Sequence, residues 1–173
     1  MIVTRTERLV IRHIAHADAP FIHELLTDPD FLAQIGDRGV KTLADAERVI
    51  AERFQAAYAA CGFAMFLVER AADSAKLGMC GLVDREGLDA VDIGYAFLPA
   101  ARGHGYAYEA ARAVLDWAAA RGITPVVAIV TPGNTRSVAL LGKLGLVAGR
   151  RLRLPGADHD VMLYVPGPPR AIR

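Results

Sequence analysis

Cysteine is scarce in this 173-residue chain, with only Cys61 and Cys80, and tryptophan occurs once. Two thiols are too few for a disulfide framework. Both lie among alanine, glycine, methionine and phenylalanine, where a nucleophile finds no neighbouring base. They read as small hydrophobic residues of a reduced, cytoplasmic protein. Charge of one sign is lacking too: lysine and arginine total 20 against 19 aspartates and glutamates. No global field then draws the chain to nucleic acid or to an anionic membrane surface. Long apolar runs are missing as well. The longest, Ala59 to Val68, is about half of a bilayer span, and Arg5, Arg8 and Arg12 interrupt the amino terminus, so neither a transmembrane helix nor a signal peptide is expected. Metal ligands are too dispersed to form a site. His13 and His16 have no third ligand nearby, and Asp158-His159-Asp160 reads as a polar hairpin tip.

What is present suffices for one core. Hydrophobic residues make up 53% of the chain, and a domain of this size buries about 70% of the surface its unfolded chain exposes. Strand and helix patterns alternate without repeats or an internal linker. Residues 6–14 read as a strand. Asp18 caps a helix from Ala19 to Thr27 with Pro20 in its first turn, and Asp28-Pro29 stops it. Thr42 opens a longer helix with Leu43, Ala46, Val49, Ile50, Phe54 and Ala57 on one face, ended by Gly62. Strands at 63–70, 76–84 and 89–98 form an antiparallel meander. A helix over 107–121 then crosses over to a strand at 124–131, parallel to its predecessor. A helix from Asn134 to Leu144 and strands near 146–153 and 160–165 complete a mixed α/β architecture of about six or seven strands and about four helices. Residues 1–165 are expected to form a single domain, and 166–173 a flexible, proline-rich tail.

Arg102-Gly103-His104-Gly105-Tyr106-Ala107 stands where the strand closed by Pro99 gives way to the alanine-rich helix. Gly105 and Ala107 carry little bulk, so an anionic group can approach the first-turn amides. Those amides lack intrahelical partners and sit at the positive end of the helix dipole. The six residues read as a pyrophosphate cradle; an ordinary glycine-rich helix start is the competing reading. Two other nucleotide motifs are excluded. A dinucleotide fold needs a third glycine where Tyr108 stands, and an acidic residue about twenty positions on, where proline and valine stand. A Walker-type loop needs Gly-Lys-Ser or Gly-Lys-Thr, and the chain has neither.

Downstream, Asn134 and Ser137 lie one helical turn apart, so an amide and a hydroxyl can face one groove. A helix cap followed by a polar surface residue is the alternative. The ordered set of Arg102-x-x-Gly105-x-Ala107, a helix, the strand Val126 to Val130, Asn134-x-x-Ser137 and Lys143-Leu144-Gly145-Leu146 resembles the GNAT acetyltransferase family. The opening Thr6-Glu7-Arg8-Leu9-Val10-Ile11-Arg12, with Asp18-Ala19 and Asp28-Pro29, is similar to the branch that includes the ribosomal-protein N-terminal acetyltransferases.

That resemblance implies a GNAT-like fold: a mostly antiparallel sheet with one parallel pair splayed at the cofactor site. It also implies acetyl-CoA as cofactor without a metal, and direct attack of a primary amine, on a protein N-terminus or a small molecule, in a ternary complex. Freed strand edges suit the two amides of pantetheine. In this picture Tyr95, Phe97 and Leu98 form the docking rail, and Arg102, Gly103, His104, Gly105, Tyr106 and Ala107 hold the pyrophosphate. Asn134 faces the pantetheine, Ser137 protonates the leaving thiolate, and Asp92 stands where relatives carry a glutamate base. Glu109 matches an acidic position of the branch, with a dipole or hydrogen-bonding role rather than a catalytic one. The acceptor cleft is implied to lie between residues 24–42 and 153–160. Glu24, Asp28, Asp30 and Asp37 there oppose Arg38, Arg153 and His159, which leaves the acceptor open. No nucleic-acid or membrane partner is expected, and monomer and homodimer both stay open. A non-catalytic acyl-CoA sensor or partner-binding domain of the same fold is the alternative.

Overall fold

The computed structural model describes residues 1–168. Its strands are β1 (Ile2–Arg5), β2 (Leu9–His13), β3 (Met65–Arg70), β4 (Lys76–Val83), β5 (Val91–Phe97), β6 (Val126–Val130), β7 (Leu146–Leu152) and β8 (Val161–Pro166). They form one sheet in the order β1-β2-β3-β4-β5-β6-β8-β7, in which only β5 and β6 run parallel. The helices are α1 (Ala19–Thr27), α2 (Pro29–Gln34), α3 (Leu43–Val49), α4 (Ala56–Cys61), α5 (Tyr106–Ala119) and α6 (Thr135–Lys143). A π-helical stretch, Ile50–Gln55, joins α3 to α4, so 43–61 is one continuous helix, and Gly62 ends it in a left-handed turn at φ 81°. No helix among the described residues is long and apolar enough to cross a membrane.

The pleat of the sheet divides the core in two. One layer packs α5 and α6 against Leu9, Ile11, Phe66, Cys80, Ile93 and Phe97; the other packs α1, α2 and α3 against Met65, Leu67 and Met79. Strand β5 serves both, because successive side chains point to opposite faces. Ile93, Tyr95 and Phe97 face α5 and α6, while Ala96 and Leu98 pack on the side of α1 and α3.

Several sequence expectations change in detail. The strand expected over 6–14 is a hairpin: Leu9 donates its N–H to Thr6 Oγ1 at 3.0 Å and Thr6 its N–H to Leu9 O at 2.9 Å, a tight turn that returns Ile2–Arg5 alongside Leu9–His13. Asp28-Pro29 ends α1 as expected, yet it also starts α2, with Asp28 Oδ1 accepting the Phe31 N–H at 3.1 Å. A stop signal and a start signal here are the same two residues. The sheet accordingly has eight strands and the described residues form five α-helices, counting 43–61 as one. Leu43, expected on the buried face of that helix, is exposed, as is Cys61 at its end, whereas Cys80 is buried and its thiol pushed up by that burial. Pro166 belongs to β8, and Gly167 donates its N–H to Gly145 O at 2.9 Å. The rest of the expected tail, 169–173, lies outside the described residues.

Asp18 does not cap α1 through its side chain. Only 2% exposed, it accepts from the Ala15 N–H at 2.8 Å, from Arg12 at 2.8 and 2.9 Å, and from Lys76 at 2.7 Å. Arg12 also pairs with Glu69 at 2.6 Å. This cluster pins the start of α1 to β2, β3 and β4. Burial works against the charge, but the bonds from Arg12, Lys76 and Ala15 win and hold the Asp18 carboxyl well below the usual carboxylate range. Asp18→Ala leaves Lys76 without its partner and Arg12 with Glu69 alone, and should cost about 3 kcal/mol in urea unfolding at neutral pH, the lower end for breaking a buried pair. The wild-type contribution is complete above the unfolded carboxyl value of about 3.9 and is lost as pH falls below it. The Ala variant should therefore lose less stability than wild type on acidification. Equal midpoints at pH 7 would remove this cluster from the stability of the fold.

Candidate active site

Strands β5 and β6 pair only at Val91 with Val126 and Asp92 with Val127; beyond those residues β6 pairs with β8 instead. The two strands part toward their carboxyl ends. On its other side β5 stays paired with β4, and Leu98 N–H reaches Leu77 O at 3.0 Å. Alternation in an antiparallel ladder then turns the peptide groups of Tyr95 and Phe97 toward the gap. Leu98, expected on the same rail, spends its amide on β4 and does not line the gap.

A groove of about 1840 Å³ opens there, lined by Asp92, Tyr95, Phe97, Arg102, Gly103, Gly105, Tyr106, Ala107, Asn134 and Ser137. A single small-molecule pocket takes roughly 300–1,000 Å³, so this one has room for a cofactor and an acceptor together. Among the described residues no group of three or more His, Cys, Asp or Glu side chains is placed to hold a metal ion.

The loop from Arg102 forms the wall at the start of α5. Gly103 (φ 80°) and Gly105 (φ 79°) both take the left-handed conformation that side-chain-bearing residues adopt only with strain. Glu109 is the first α5 residue whose N–H bonds backward, to Gly105 O at 3.1 Å. Among the described residues the amides from Gly103 to Tyr108 have no backbone acceptor, and they sit at the positive end of a 14-residue helix. The loop is braced from behind. Arg8 bonds Glu109 Oε2 at 2.7 Å and the His104 carbonyl at 3.0 Å, and its guanidinium lies 4.8 Å from the centre of the Tyr106 ring. Thr6 Oγ1 donates to the other oxygen of Glu109. Burial opposes the Glu109 charge, but Thr6 and Arg8 hold its carboxyl below the usual range. The opening Thr6-x-Arg8 motif and Glu109 are thus one structural unit. The bond to Arg8 turns the His104 carbonyl away from the groove, and the His104 ring lies beside Tyr106, outside the groove wall.

Arg102 was expected to meet phosphate. Its Nε instead donates to Phe97 O at 2.9 Å, and its other nitrogens pair with Asp28 at 3.0 Å and with Asp30. It ties the loop to the corner between α1 and α2. It thereby neutralises two of the four acidic residues, Glu24, Asp28, Asp30 and Asp37, of the implied acceptor cleft.

At the start of α6, Asn134 Oδ1 accepts the Ser137 N–H at 3.1 Å. Asn134 is therefore the N-cap and also part of the groove wall. The Ser137 hydroxyl meets the Tyr95 hydroxyl at 2.7 Å. Burial pushes the Tyr95 phenol up to about 12, against the Ser137 bond that lowers it. The resemblance places Tyr95 on the rail by its backbone alone. Its hydroxyl becomes visible only once β5 and α6 are side by side, because 42 residues separate the partners.

Asp92 projects toward the opposite face, 1% exposed, and Arg85 grips it at 3.0 and 3.3 Å. Burial raises its pKa, Arg85 and Arg38 lower it, and the net direction is upward. The structure therefore sets the hydroxyl pair on one side of the gap and the carboxylate on the other.

Residues 8–147 match the family model described as acetyltransferase (GNAT) domain. The chain is 29% identical over 154 residues to YkkB, an uncharacterized protein of Bacillus subtilis, covering 86% of this chain and 87% of that one. An acetyltransferase from Agrobacterium tumefaciens superposes with a TM-score of 0.78 at 25% identity, covering 94% and 92% of the two chains. RimL, a ribosomal-protein α-N-acetyltransferase solved in complex with coenzyme A, shares the fold with a TM-score of 0.80 at 19% identity, covering 95% and 97%. With most of its length inside the family model and its sheet splayed over a braced helix start, this chain belongs to the GNAT acetyltransferase family.

Proposed function

We propose that the protein moves the acetyl group of acetyl-CoA onto a primary amine by direct attack within a ternary complex. The observation that carries this reading is the run of unspent amides at the start of α5, facing the same groove as the free edge of β5. Those amides are suited to the pyrophosphate, and the peptide groups of Tyr95 with the N–H of Phe97, whose carbonyl Arg102 takes, to the amides of pantetheine. A backbone N–H of β5 near Phe97 serves as the oxyanion donor. The amine nitrogen bonds to the thioester carbon as the C–S bond breaks. Asp92, through water, takes the amine proton, and Ser137 gives a proton to the sulfur. Tyr95, protonated at neutral pH, resupplies Ser137 through their hydrogen bond. An exposed free thiol at Cys61 suits a reducing, cytoplasmic setting.

Acetyl-CoA at about 100 times its dissociation constant should stabilise the folded protein by roughly 2.7 kcal/mol. Gly105→Trp strains a backbone position at φ 79° and drives a bulky side chain against Arg8, the brace of the cradle, and should abolish that shift. A flat wild-type melting curve at saturating ligand counts against the cofactor itself, and normal binding by the variant places the cradle elsewhere.

Ser137→Ala should lower kcat on the order of a hundredfold with little change in CoA affinity, the low end for proton-transfer catalysis. Tyr95→Phe should lower kcat less, since solvent can recharge Ser137. An unchanged kcat in Ser137→Ala would return Ser137 to the status of a helix-surface residue.

With Asp92 as base, kcat/KM should rise with pH through an apparent value above the ordinary carboxylate pKa of about 3.9, because the carboxyl must be ionised to accept a proton. Asp92→Asn should flatten that limb while CoA binding persists. Retention of the limb in the variant would assign it to another group.

A further inference from the structure

The charges around the acceptor side of the groove do not cancel. Asp28 and Asp30 are taken by Arg102, Asp160 by Arg153, and Asp92 by Arg85, while Asp37 accepts the Gly39 N–H at 2.7 Å. Arg38 and Arg53 line the same groove, and among the described residues neither has a carboxylate or carbonyl partner. Arg38, Arg53 and Arg85 against the carboxylates of Asp84 and Asp92 leave one positive charge uncompensated in this wall. Arg38 is half-buried, and its pKa is lowered by burial and then by Arg85 and Arg53. A guanidinium has five donors and no acceptor, so partial desolvation beside like charges is costly unless an anion arrives.

Position adds to charge. Arg53 lies on the helix that packs against the face of the sheet opposite Tyr95, and that is the face to which Asp92 projects. Between Asp92 and Ala96 on this face β5 itself carries only Gly94, where the flexible thioether of Met65 lies 3.4 Å from the position a Cβ would take. Resting on the acetyl-transfer reading above, we propose that the acceptor is a small amine bearing an anionic group, a carboxylate or a phosphate, held by Arg38 with Arg53 beside it. The planar guanidinium fork matches either oxyanion. Held there, the acceptor carries its amine beside Asp92, which Arg85 fixes in the same cluster. A polyamine meets repulsion at this wall.

The test uses saturating acetyl-CoA and matched amines: amino acids against their amides, and aminoalkyl phosphates against the phosphate-free alcohols. Diamines and a peptide with a neutral amino-terminal sequence complete the panel. Thiol release and product mass give kcat and KM. The anionic member of a pair should be preferred by roughly ten- to a hundredfold in kcat/KM, the range of a charge-assisted hydrogen bond, and the difference should lie in KM. The two anionic arms tell carboxylate from phosphate. Arg38→Gln should bring the preference near unity while the thermal shift with CoA persists. Preference for an amide, an alcohol, a diamine or the peptide overturns the proposal. If no amine turns over, CoA-saturated protein is melted with N-acetyl amino acids and N-acetyl aminoalkyl phosphates against their neutral counterparts. Stabilisation by an anionic compound that Arg38→Gln and Arg53→Gln both abolish upholds the proposal, and its absence overturns it. A wild-type protein with no CoA shift overturns the acetyl-transfer reading along with it.

Discussion

Two residue pairs hold β5 to β6, and the site depends on there being no more. A fully zipped parallel pair would spend the peptide groups of Tyr95 and Phe97 on β6 and close the groove. An open gap leaves polar backbone near the middle of a sheet, where an unpaired group costs free energy unless water or a ligand serves it. The fold tolerates this because each parting strand keeps its other neighbour, β4 for β5 and β8 for β6. The ladder is sacrificed on one edge only. The pleat then distributes chemistry across the gap, with Tyr95 and Ser137 on one face and Asp92 on the other.

Charge is used in the same economical way. Arg102 looks in the sequence like a group that meets phosphate, yet it, like Arg85, is occupied by aspartates of the protein. Arg102 acts as a strut between the cradle and the α1–α2 corner, and Arg85 fixes the direction of Asp92. The Asp18 cluster does comparable work at the far side of the sheet. What distinguishes Arg38 and Arg53 is that no such duty falls to them among the described residues.

Much of the architecture was legible in sequence because it is written locally. Turn glycines, the Thr42 cap, the amphipathic face through Ile50 and Phe54, and the helix–strand order after Pro99 all act over a few residues. The turn into α5 was legible for the same reason: Gly103 and Gly105 supply backbone conformations that other residues resist. The failures arise where one signal has two uses or where partners are far apart. Asp28-Pro29 ends one helix and begins the next, and the strand read over 6–14 hides a turn closed by Thr6. The Tyr95–Ser137 bond, the capture of Arg102 by Asp28 and Asp30, and the grip of Arg8 on Glu109 are tertiary contacts that no local pattern encodes.

The brace behind the cradle also orders the events of folding. Arg8 meets His104 and Glu109 across 96 and 101 residues of chain, so the loop cannot take its finished shape until the first hairpin has found a helix made much later in synthesis. Loop-closure entropy must be met before that contact forms. The loop at the start of α5 is consequently a late product of folding rather than a local motif that matures by itself, and its integrity reports on the assembly of the whole sheet.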